Sequence, residues 1–73
     1  MSEVFNNIKQ VEEFLSRQQT KCKQGEIINI IIIEAILEKI PAIASKYNFS
    51  VIDGENLEND KILLKLEFRQ LFS

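Results

Sequence analysis

The sequence predicts a small α+β domain. Two helices, at about residues 3–19 and 26–47, pack on a C-terminal antiparallel β-hairpin at about 47–53 and 61–72, in α-α-β-β order. Three observations predict it. Apolar residues recur at helical spacing from Val4 to Leu15, and again from Ile33 to Tyr47. From Ile62 to Phe68 they alternate with polar ones at the period of a strand.

The first helix places Val4, Ile8, Val11 and Leu15 on one face, widened by Phe5 and Phe14. Ser2 suits its N-cap, and Glu3 favours the positive end of the helix dipole. Glu13 and Arg17 add an i, i+4 pair. The apolar pattern stops over "SRQQTKCKQ", residues 16–24, and Gly25 suits a helix end or a turn.

Residues 25–47 hold nine isoleucines. From Ile33 the spacing is helical through Ile36, Leu37, Ile40, Ile43 and Tyr47, with Glu34, Glu38, Lys39, Ser45 and Lys46 opposite. Pro41 must kink or restart this helix, because proline lacks the backbone donor. Two readings compete for residues 26–33. β-branched isoleucine favours a strand. The unbroken stripe back to Ile30, and the need of a lone strand for a partner, favour a helix that is apolar all round in its first turns. On the helical reading Ile27, Ile28 and Ile31 fall on the face that ought to be polar.

In the hairpin, Ile62, Leu64, Leu66 and Phe68 face one way and Leu63, Lys65, Glu67 and Arg69 the other. Tyr47, Phe49 and Val51 share a face upstream. Asp53-Gly54 opens the polar connection "DGENLEND" as its turn.

Residues 1–73 make one domain, and a chain this short is marginally stable alone. Cys22 is the only cysteine and there is no histidine, so an internal disulfide is excluded and a thiolate or imidazole metal site is disfavoured. A second subunit remains. A homodimer formed by pairing the last strand with its copy gives a four-stranded sheet. The expected interface residues are Ile27, Ile28, Ile31, Leu63 and Leu71. The acidic loop residues Asp53, Glu55, Glu58 and Asp60 suit a basic partner.

Net charge is −2, so nucleic acid is disfavoured as a partner. The longest apolar run, Ile30 to Ile33, is too short to span a membrane, and the acidic start is no signal peptide, so a cytoplasmic location is expected. The bias to Ile, Lys, Asn and Glu resembles small proteins of A+T-rich bacterial, plasmid or phage genomes.

No catalytic, cofactor or metal motif emerges. The acidic loop departs from calcium-loop spacing and reads as solvated. Cys22 lies between Lys21 and Lys23, whose charges favour a thiolate, but no Cys-His pair exists. Arg17, Lys21 and Lys23 make a weak basic cluster, and the aromatics other than Phe72 fall on core faces. For an enzyme only Glu34, Glu38 and Tyr47 are candidates. The expected function is therefore a non-catalytic protein-interaction module, an adaptor, regulator or inhibitor, with no cofactor. Two alternatives are a winged-helix-like transcriptional regulator, whose wing tip would be acidic, and a small-ligand carrier at a dimer interface.

Overall fold

The computed structural model describes residues 4–69. In chain order it holds β1 (Val4–Phe5), α1 (Ile8–Gln18), β2 (Ile27–Ile33), a 3₁₀ helix (Glu34–Lys39), α2 (Ile40–Lys46), β3 (Phe49–Leu57) and β4 (Lys61–Phe68). The strands form one sheet in the order β1-β2-β4-β3. β1 pairs parallel with β2, and β4 runs antiparallel to both its neighbours, so β1, β2 and β3 share one direction. The chain is a small α+β protein, with strands before, between and after its helices.

The expected α-α-β-β order, two helices on a C-terminal hairpin, is therefore wrong. Residues 26–47 do not make one kinked helix. They make strand β2, then the 3₁₀ helix, then the seven residues of α2. β-branched side chains decide the first part, because they crowd a helix and suit a pleated surface. The partner that a lone strand lacked is β4, which matches β2 along its whole length, from Ile27–Glu67 to Ile33–Lys61. Pro41 is no kink. It sits in the first turn of α2, where its missing donor is harmless.

The N-terminal helix starts later than expected. Val4 and Phe5 are a strand, and Asn7, not Ser2, caps α1: its side chain accepts from the Gln10 amide at 2.9 Å. The Gln10 side chain in turn accepts from the Asn6 amide at 2.9 Å. Ser2 and Glu3 lie outside the described residues.

Asp53-Gly54 is not the turn of the hairpin. Both residues lie within β3, just after a bulge between Val51 and Asp53. Gly54 suits its place because a Cβ there would come within 3.2 Å of a Leu64 methyl. The chain reverses at residues 58–60, where Asn59 and Asp60 take positive φ, a conformation that Asn and Asp tolerate best after glycine. The described strands are Phe49–Leu57, in place of the expected 47–53, and Lys61–Phe68, while residues 70–72 of the expected 61–72 lie outside the described residues.

The sheet has two unlike sides. Phe5, Ile30, Ile32, Ile62, Leu64, Leu66, Phe68 and Phe49 all turn to the side that carries the helices, and all are buried. Val11 and Leu15 of α1 and Ile40 and Ala44 of α2 complete that core. Phe5 meets Phe14, and Phe49 meets Phe68, each pair with centroids 5.2 Å apart. Among the described residues no buried side-chain polar atom lacks a hydrogen bond.

Candidate interaction surface

Among the described residues, the side of the sheet away from the helices is open. Register places Ile27, Asn29, Ile31 and Ile33 there from β2, and Lys61, Leu63, Lys65 and Glu67 from β4. Ser50, Asp53, Glu55 and Leu57 come from β3, and Val4 from β1. Val4, Ile31 and Leu63 form one apolar row across three strands. Ile33 extends it along β2, and Ile27, 49% exposed, lies beyond Asn29 on the same side. The open side therefore has an apolar flank at β2, a mixed centre at β4 and an acidic flank at β3. A shallow groove between β3 and β4 is lined by Asp53, Gly54, Glu55, Leu63 and Lys65.

Of the residues expected at an interface, Ile27, Ile31 and Leu63 share this surface, with Ile31 directly opposite Leu63. Ile28 turns to the other side, opposite Leu66, and packs against the core. Leu71 lies outside the described residues. The expected pairing of the last strand with its copy fails, because β4 is interior and already paired on both edges. Sequence reasoning overlooked Val4 and Ile33, which a helical reading had spent on core faces. The run of β-branched residues from Ile30 to Ile33 is the one signal in the sequence for a strand that would turn Ile33 outward.

The acids are divided. Asp53 and Glu55 stand on the open side of β3, and Asp53 faces Lys65 across the strand pair. Glu58 and Asp60 lie in the turn, where the Asp60 carbonyl accepts from the Glu34 amide at 2.8 Å. Among the described residues no three His, Cys, Asp or Glu side chains gather as a metal site. Glu34, Glu38 and Asp60 border an open depression with Ile33 and Leu37. Tyr47 is elsewhere. Its hydroxyl donates to Glu12 on α1 at 3.0 Å, and Lys46 reaches the same carboxylate at 3.4 Å. That carboxylate, by hydrogen bond and charge, raises the Lys46 ammonium above its ordinary range. Glu34 and Glu38 thus share a depression that Tyr47 does not enter.

Cys22 is half-buried. Burial pushes its thiol above the ordinary range, and the charge and hydrogen bond of Glu26 push the same way. This direction is opposite to the one expected from Lys21 and Lys23. No helix among the described residues is long and apolar enough to cross a membrane.

The fold and surface define a two-layer α+β protein whose sheet, among the described residues, has one side open. Compared with known proteins, the chain matches no family model and no curated sequence.

Proposed function

We propose that the chain is a non-catalytic protein-interaction module that self-associates through the open side of its sheet. The observation that carries this is the apolar row of Val4, Ile31 and Leu63, flanked by Ile27 and Ile33, on a sheet surface that no helix among the described residues covers. Contiguous exposed apolar surface marks contact sites. A small domain with a thin core also gains most from a second subunit.

The arrangement favours a second copy. A two-fold axis running along β2 stacks the column of Ile27, Asn29, Ile31 and Ile33 on the same column of the other copy, so that the two Asn29 amides meet and can hydrogen-bond to each other. The same axis sends the acidic β3 flanks to opposite outer sides, where they do not meet. Two sheets joined this way lie about 10 Å apart, a spacing that aliphatic side chains fill.

The test is the pair Ile31→Glu and Leu63→Lys, each made alone and together. Either single change places a charge inside the apolar contact and dissociates the dimer, while the monomer keeps its fold. In the double variant the two new charges are opposite in sign and directly across the β2–β4 pair within one chain, so it is folded and remains monomeric. Dimers of wild-type strength in both single variants would sink the assignment.

A further inference from the structure

The second half of β3 is the least covered strand segment among the described residues. Residues 52–57 are exposed without a break, yet residues 53–57 stay paired with β4. Among the described residues β3 has a strand on one side only, so half of its backbone N–H and C=O groups face outward with no such strand beside them. Ile52, at the bulge, is 43% exposed.

Charge selects what can pair there. Residues 50–60 contain four acids and no base. Asp53 and Glu55 project from the same side of the strand. A second copy of β3 laid antiparallel about Gly54 sets Asp53 of one copy against Glu55 of the other, twice over. Like charges directly opposite destabilise a strand pair, so this edge rejects its own copy. A cationic strand meets the opposite condition.

We propose that the outer edge of β3, which has no strand beside it among the described residues, takes up an extended basic segment of another protein as a fifth strand, with Lys or Arg at alternate positions beside Asp53, whose carboxylate also accepts from the Gly54 amide at 2.9 Å, and Glu55. Backbone hydrogen bonds then supply the pairing and the two carboxylates choose the sequence. This edge is separate from the open-side contact of the proposed dimer.

The test uses the intact chain and fluorescent peptides of alternating Lys and Thr, followed by anisotropy at low salt. The Lys–Thr peptide binds, and a Glu–Thr peptide does not. Two further peptides are N-methylated, one at every Lys and one at every Thr. In an edge-paired strand only alternate N–H groups face the neighbour. One methylated peptide therefore loses affinity by about tenfold or more, as expected for a few lost backbone bonds, and the other keeps it. Equal binding of the two methylated peptides, or no binding of the parent, overturns the proposal, since plain charge attraction ignores backbone methylation. The titration is repeated with Ile31→Glu. Retained binding there separates the peptide site from the open-side contact whatever becomes of the dimer, and lost binding in that folded variant overturns the assignment to this edge.

Discussion

Ile32 is fully buried in the same core as Leu15 and Ile40, while Ile31 and Ile33 on either side of it look outward. That alternation makes the energetic roles of neighbouring isoleucines very different. Ile32→Ala removes buried methyl groups from a packed site and costs about 2–5 kcal/mol, measured by denaturant unfolding. Ile52→Thr, at an exposed position, stays within about half a kcal/mol of wild type in the same experiment. Asn7→Ala removes the side-chain cap of α1 and costs about 1 kcal/mol. Cys22 supplies a chemical check. Its raised folded-state value favours the neutral thiol, so its contribution to stability is full below the unfolded-state value and is lost as pH rises through the folded one. Alkylation of the native chain accordingly has its pH midpoint above that of the urea-unfolded chain. A midpoint below it would show that Lys21 and Lys23 outweigh burial and Glu26.

At the scale of elements, residues 26–40 are where two periods coexist. Ile30, Ile33, Ile36, Leu37 and Ile40 fit a helix, while Ile28, Ile30 and Ile32 fit the buried side of a strand. Spacing alone could not separate them, because a run of isoleucines satisfies both templates. What separates them is tertiary: β4 offers a matched antiparallel neighbour for the whole of β2. That pairing joins residues 27–33 to residues 61–67, across both helical segments and β3, so it is invisible to a local reading. The β4 alternation of Ile62, Leu64, Leu66 and Phe68 was readable because its outward positions include Lys65 and Glu67. Asp53-Gly54 misled for a local reason. The glycine serves a close approach to Leu64 and not a reversal, while the reversal uses Asn59 and Asp60 in the left-handed region. The expected surface was readable in part. Ile27, Ile31 and Leu63 stood out as apolar surplus, but their convergence depends on the β2–β4 register.

For the whole molecule, the helices protect one side of a four-stranded sheet and leave the other to solvent or to a partner. Antiparallel pairing tolerates a wet side, and a polar lining would normally mark it. Here the centre at β4 meets that expectation with Lys61, Lys65 and Glu67, and the β2 flank does not. A contact built on that flank is hydrophobic at its centre, with the charged columns outside it. Its strength therefore changes little with added salt, whereas basic-peptide binding at β3 weakens steeply. The most direct measurement is native mass by light scattering across a dilution series, on the wild-type chain and on Ile31→Glu. The expected result is a wild-type mass of twice 8.5 kDa persisting into the low micromolar range and a folded monomer for the variant. A wild-type chain that is monomeric at every concentration, or a variant that keeps the wild-type mass, would contradict it.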